Sequence, residues 1–197
     1  MSAFIVLEGP DGAGTTTHAR LLADTLTLAG YDVLLTAEPS DGFIGTFIRS
    51  QLSQKTVPSP AALQLLFLAD RAWHVDAVVR PALDSGKVVI CDRYCTSTIV
   101  YGAALGLDSD WLRNICCQFP RPDLEIWTLP PLTTCIERMK KRNTTDVLEE
   151  SAIVSRVYQE YASRSMNGDY PLIDTSRNTS VAAEEIAALA RRALGSL

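Results

Sequence analysis

The chain has 197 residues, 47% hydrophobic and 21% charged, with a formal net charge of -5. That length suits one well-buried domain and is short for two, and the acidic balance argues against a general binder of polymeric nucleic acid without excluding a local basic pocket for a small phosphorylated molecule. No apolar run reaches membrane-spanning length, and Met1 to Leu7 lacks the basic start of a signal peptide, so no membrane contact and a cytoplasmic location are expected.

Ala3 to Leu7 (AFIVL) is a short β-branched apolar run, the pattern of a strand covered on both faces. A glycine-rich loop follows. Thr16 to Leu28 then carries Ala19, Leu22, Ala23 and Leu26 at helical spacing, with Gly30 placed to end the helix. Asp32 to Thr36 reads as a second strand and Phe43 to Leu52 as a short helix. Pro60 opens a long helix to about Arg80, where Pro81 predicts a break or kink. Lys87 to Cys91 (KVVIC) is a third strand, Thr96 to Ala104 a helix, and Asp108 to Phe119 another. Leu124 to Thr128 is a fourth strand, followed by helices over Leu132 to Arg142 and Leu148 to Arg164. Leu172 and Ile173 form a short strand, and Val181 to Leu194 a closing helix.

Strands alternating with helices predict an α/β fold, a parallel sheet with helices on both faces, in one domain spanning 1–197. The polar stretch Arg142 to Glu150 is expected to be a mobile connection. The five cysteines form no C-x-x-C pair and read as reduced thiols packed as small hydrophobes, and His18 and His74 offer no metal-site spacing.

The loop EGPDGAGTTTH places Gly9, Gly14 and Thr16 on the template G-x-x-x-x-G-K-[ST], but Thr15 stands where lysine is required. A strand, then glycines, then a helix N-terminus is the context in which backbone N–H groups and the helix dipole hold an anion. The candidate phosphate-binding residues are therefore Gly9, Pro10, Asp11, Gly12, Ala13, Gly14, Thr15, Thr16 and Thr17. A plain strand-to-helix turn is the alternative. The missing lysine bears on catalysis more than on fold. Loss of one such charge without compensation would slow transfer by roughly 10²–10³.

Further along, TAEPSDGFIG, LFLADRAWH, VVICDRY, PDLEIW with Arg138 downstream, and YPLIDT appear in order. Together with the loop they resemble the thymidylate kinase family over essentially the whole chain. The resemblance implies a P-loop nucleoside-monophosphate kinase fold with a five-stranded parallel sheet and a short lid, approximately 138–150. It also implies ATP as donor, dTMP as acceptor, Mg²⁺ as cofactor and a homodimer. Asp92 and Arg93 follow a buried strand, so the family pattern gives Asp92 to Mg²⁺ or acceptor positioning and Arg93 to the acceptor phosphate. Thr16 takes the metal-ligand hydroxyl position. Asp11, Glu38 and Arg49 match acceptor-side positions, although Arg49 reads equally as a solvated helix-face arginine. Phe67 matches the aromatic that stacks on thymine and Arg71 the arginine beside the base. Four residues apart, they share a helix face, while Phe67 could equally be core. Ser97, Thr98 and Tyr101 follow on the next helix, with Tyr101 matching the residue that crowds the sugar 2′ position; core packing is its alternative.

The sequence departs from the family pattern in several places. Thr15 replaces the loop lysine, Gly12 is not the loop arginine of one subgroup, and Val147 takes the place of the lid arginine of the other. Leu129 sits where many members carry aspartate. Arg138 and Arg142, at helical spacing on one face, could be delivered to ATP when a lid closes, though MKKR is also an ordinary solvated helix end. Three readings follow: an active dTMP kinase rebuilt around lid cations and Mg²⁺, a non-catalytic nucleotide-binding homologue serving as sensor or partner subunit, or a kinase with another deoxynucleotide acceptor such as dUMP.

Overall fold

The computed structural model describes residues 2–53, 58–141, 148 and 151–195. Five strands, β1 (Ala3–Glu8), β2 (Val33–Ala37), β3 (Val88–Asp92), β4 (Leu124–Thr128) and β5 (Leu172–Ile173), form one parallel sheet in the order β2-β3-β1-β4-β5. The expected α/β fold is thus present. β1 lies at the centre with every residue buried, which is why its sequence is apolar without alternation.

The two faces of β1 nevertheless do different work. Ala3, Ile5 and Leu7 pack with Leu22 and Leu26 of α1 (Thr15–Leu28) and with Ile186 and Leu194 of α9 (Thr179–Leu194). Phe4 and Val6 turn the other way, towards Val75 and Val79. That second face is covered by most of the remaining helices. They are α2 (Phe43–Ser53), α3 (Pro60–His74), α4 (Arg80–Asp84), α5 (Cys95–Ala104), α6 (Ser109–Cys116) and α8 (Ser151–Ser165), while α7 (Leu132–Lys140) lies against the loop that follows β1.

The long helix over 60–80 departs from expectation in an informative way. It opens as expected, with Pro60 in the first turn and Ser59 Oγ accepting from the Ala62 N–H at 3.4 Å. It does not stop at Pro81 but continues to Asp84, preceded by a widened π-type turn over Val75–Val79. Proline removes one backbone donor and its ring crowds the preceding turn, so the wider turn takes up the disruption upstream. The helix expected over 108–119 is shorter, Ser109–Cys116, with Asp108 as its cap. All the parallel strands bring their C-terminal ends to one edge of the sheet, where Glu8, Glu38, Asp92 and Thr128 converge.

Candidate active site

Between β1 and α1 the chain passes tightly against its neighbours. A Cβ at Gly12 would lie 2.3 Å from the Cys135 carbonyl oxygen, and one at Gly9 would lie 2.5 Å from that of Thr128. Gly12 (φ 80°) and Gly14 (φ 88°) also occupy left-handed backbone, so only glycine fits the path. Gly14 caps α1 without any side-chain hydrogen bond, and the first turn holds no acidic residue. The partial positive charge of the helix N-terminus is therefore left for an anion. Thr15 is buried, while Thr16 and Thr17 are exposed in the first turn. His18 Nδ1 donates back to the Gly14 carbonyl at 2.9 Å.

Asp92 ends β3 opposite Leu7, on the sheet face covered by α1. That register aims it at Thr16, whose hydroxyl donates to Asp92 Oδ2. Asp92 Oδ1 is buried and has no hydrogen-bond partner among the described residues. An oxygen left unsatisfied beside a hydroxyl at the ligand edge of the sheet fits a hard divalent cation with its water shell.

Beside the loop lies a cleft of about 170 Å³ whose walls include Asp11, Glu38, Phe67, Arg71, Asp92, Arg93, Ser97, Thr98 and Tyr101. Buried Leu148 closes part of the same cleft. Arg93, in left-handed backbone (φ 71°), donates to the Gly9 carbonyl at 2.7 Å, to Ser97 Oγ at 3.1 Å and to Asp11 Oδ1 at 2.7 Å. The other carboxylate oxygen of Asp11 accepts from the Tyr101 hydroxyl at 2.7 Å. Tyr101 is thus tied to the loop as well as to the core. Phe67 is half-buried on the cleft wall.

Glu8 supports this wall from beneath. It is fully buried and accepts four hydrogen bonds: Tyr94 N (2.8 Å), Ser97 N (3.1 Å), Ser97 Oγ (2.6 Å) and Tyr161 Oη (2.9 Å). Four donors make a buried carboxylate tolerable and fix the start of α5. A second acid on the same face, Glu125, accepts from Thr96 Oγ1 and Trp127 Nε1, both at 2.7 Å. Burial, with Glu8 nearby, pushes the Glu125 carboxyl up to about 7.

Arg71 and Glu38 form the other buried node. Arg71 Nε and Nη2 reach Glu38 Oε2 at 2.8 and 2.7 Å. Burial opposes the guanidinium charge, yet Glu38 holds it more firmly protonated than usual. His74 Nδ1 donates to Glu38 Oε1 at 3.1 Å, and its Nε2 meets the Thr36 hydroxyl at 2.7 Å. Asp70 steadies the adjoining turn through Ser40 N and Oγ, both at 2.6 Å. Glu38, His74 and Cys91 bring ligand-type atoms within 4.8 Å of one another. Arg71 already occupies that carboxylate, and burial holds the Cys91 thiol protonated, so the cluster suits an ion pair better than a cation.

Arg138 on α7 leans against the phosphate loop. Its Nη1 donates to the Gly12 carbonyl at 3.2 Å and to Thr175 Oγ1 at 3.1 Å, and its Nη2 to the Thr175 carbonyl at 2.6 Å. Thr175 Oγ1 in turn donates to Ala13 O at 2.6 Å. Arg49 is placed differently, 43% exposed and bonded to Pro39 O (2.6 Å) and Asp41 (3.1 Å). Arg142 and most of the expected lid, including Val147, lie outside the described residues.

A glycine loop at a helix N-terminus, the Asp92–Thr16 pair and the adjoining cleft thus lie together at the C-terminal edge of the sheet. A family model described as Thymidylate kinase matches residues 7–186. The chain belongs to the thymidylate kinase family. The "Probable thymidylate kinase" of Pyrococcus horikoshii is 47% identical over 146 residues, 72% of this chain and 71% of that one. Its counterpart in Caldivirga maquilingensis is 38% identical over 179 residues, 90% and 87% of the two chains. The "Thymidylate kinase" of Thermomicrobium roseum is 49% identical over 116 residues, 58% and 55%.

Sequence reading of this thymidylate kinase-family chain missed Glu8, Tyr161, His74 and the Asp70–Ser40 pair. Glu8 and Glu125 each carried a usable signal, a charge inside an otherwise apolar strand run (AFIVLE, LEIWT). Tyr161 carried none, because its partner lies 153 residues away.

Proposed function

We propose that the chain transfers the γ-phosphoryl group of ATP to dTMP, giving dTDP and ADP, by direct in-line displacement without a covalent intermediate. The observation that carries this reading is Asp11, a phosphate-loop residue held at once by Arg93 and Tyr101 of the cleft wall, each at 2.7 Å. Donor and acceptor halves are thereby fixed against each other, and in such transfers positioning and charge neutralisation supply most of the catalysis.

In this reading thymine stacks on Phe67 beside Arg71, the acceptor phosphate meets Arg93, and Tyr101 crowds the sugar 2′ position against ribose. Glu38 orients Arg71, and Ser97 and Thr98 complete the acceptor wall. Arg49 joins the acceptor phosphate by leaving Pro39 and Asp41. Thr16 and Asp92 would hold Mg²⁺, which when bound neutralises developing negative charge on the phosphates. Arg138 supplies cationic charge beside the Thr15 loop, with Arg142 added from the lid. Exposed Phe43, Phe47 and Leu65 on α2 and α3 support a homodimer, testable by light scattering. No helix among the described residues is long and apolar enough to cross a membrane, and the five free thiols suit a cytoplasmic setting.

The Thr15 loop favours one rival, the non-catalytic sensor or partner subunit. A coupled assay of ADP release with ATP, Mg²⁺ and dTMP separates them, with Arg93→Ala as the control. Turnover that requires dTMP and vanishes in the control supports the kinase. Nucleotide binding without turnover supports the rival, and preference for dUMP in the same assay would move the acceptor. Thr15→Lys should keep the fold and raise the rate or leave it unchanged; loss of ATP binding in that variant would overturn the placement of Thr15.

A further inference from the structure

Two of the five free cysteines, Cys95 and Cys116, are remote in sequence but meet in space. Cys95 is the first residue of α5 and Cys116 the last of α6, and these helices pack together. Cys95 Sγ lies 3.8 Å from the Cys116 carbonyl oxygen, and Cys116 Sγ lies 3.9 Å from that of Cys95. The contact is reciprocal, so each sulfur sits over the other residue's backbone. Arg71 Nη1, from the buried node at the cleft, lies 3.7 Å from Cys116 Sγ. Cys95 is half-buried, Cys116 buried, and Cys117 exposed.

We propose that Cys95 and Cys116 form an oxidisable dithiol, a modification site for small hydroperoxides, whose closure to a disulfide weakens acceptor binding through Arg71 and α5. The effect on binding rests on the reading of the cleft as the acceptor site; the thiol chemistry does not.

The two thiols are chemically unequal. The Cys95 S–H donates to Cys116, and the Arg71 guanidinium adds to the attraction, so the Cys116 thiol loses its proton more readily than usual despite burial. Cys95 is correspondingly held protonated, first by that hydrogen bond and then by burial. Thiolate character directs oxidation to Cys116. Its sulfur attacks the terminal oxygen of the hydroperoxide, the O–O bond breaks, and the alcohol (or water, from hydrogen peroxide) leaves. Cys116 becomes a sulfenic acid. The Cys95 sulfur then gives up its proton and attacks the Cys116 sulfur, the S–O bond breaks, and water departs. Two thiols are oxidised by two electrons and one peroxide is reduced.

A disulfide requires sulfurs about 2.05 Å apart, closer than two unbonded thiols approach, so closure re-orients both side chains at the ends of α5 and α6. Arg71 then loses the ionisable Cys116 sulfur beside Nη1, and the new bond anchors Cys95 at the start of the helix that presents Ser97, Thr98 and Tyr101 to the cleft. A thiol reductant reverses the bond by exchange.

The test treats the reduced, full-length protein with hydrogen peroxide, alkylates the remaining thiols and maps peptides by mass spectrometry before and after dithiothreitol. A Cys95–Cys116 cross-linked peptide, reversed by dithiothreitol, is expected. KM for dTMP should rise about tenfold, the scale of one lost charge-assisted contact, with kcat and the KM for ATP little changed. Cys95→Ser should keep its KM through the treatment, whereas Cys117→Ser should respond as the unaltered protein does. Oxidation confined to Cys117, or a cross-link that leaves KM unchanged, overturns the proposal. A protein without dTMP turnover still reports the cross-link, so failure of the kinase reading is distinguishable from failure of the dithiol.

Discussion

Replacing Glu125 with Gln is expected to stabilise the protein at pH 8 and change little at pH 5. Glu125 is 8% exposed, and burial with Glu8 nearby moves its carboxyl from an ordinary 4.5 to about 7 in the folded chain. The folded state therefore holds a proton that the unfolded state has released between those values. Stability falls as pH rises from 4.5 to about 7 and levels off above. At about 1.36 kcal/mol per pH unit, the gap corresponds to about 3 kcal/mol. Both hydrogen bonds to Glu125 end on Oε1, so a Gln carbonyl oxygen can accept both without carrying charge. Urea unfolding of both proteins at pH 5 and pH 8 measures the effect, since groups common to both cancel in the difference. An equal difference at the two pH values, or a variant less stable at pH 8, would refute the account of Glu125 as a strained buried acid.

Two further changes probe the site. Arg71→Met should lower unfolding free energy by about 3–5 kcal/mol, because it leaves the Glu38 carboxylate buried without its guanidinium and with only His74 beside it; adding Glu38→Gln should restore a large part in a denaturation double-mutant cycle. Arg138→Ala should lower kcat by roughly 10²–10³ if Arg138 supplies the charge missing at Thr15, and an unchanged kcat in steady-state assays would remove it from that role.

The framework of the fold is legible because the central strands β1 and β3 are buried throughout and so appear as unbroken apolar runs, while the edge strands β2 and β5 are apolar but partly exposed. The phosphate loop is legible because close approach to Cys135 and Thr128 leaves only glycine possible at Gly12 and Gly9. Asp92 and Arg93 are readable for a related reason, being charges at the end of such a run. What stays hidden depends on distance along the chain. The Glu8 acceptor set draws on Tyr94, Ser97 and Tyr161, and no local pattern announces those meetings. The passage of helix through Pro81 was equally hidden, since the accommodating turn lies upstream at Val75–Val79. Arg49 shows the converse, a residue matched by position whose side chain binds Asp41 and Pro39.

The glycine loop is closed by residues remote from it in sequence. Gly12, Glu8 and Ala13 meet partners, Arg138, Tyr161 and Thr175, that lie 126, 153 and 162 residues further along the chain. Contacts so remote in sequence close slowly. Until Thr175 is in place, the glycine loop lacks one of its walls and Glu8 lacks a donor. The loop therefore reaches its final shape only when segments more than a hundred residues apart have met, so its closure reports long-range folding and not local structure.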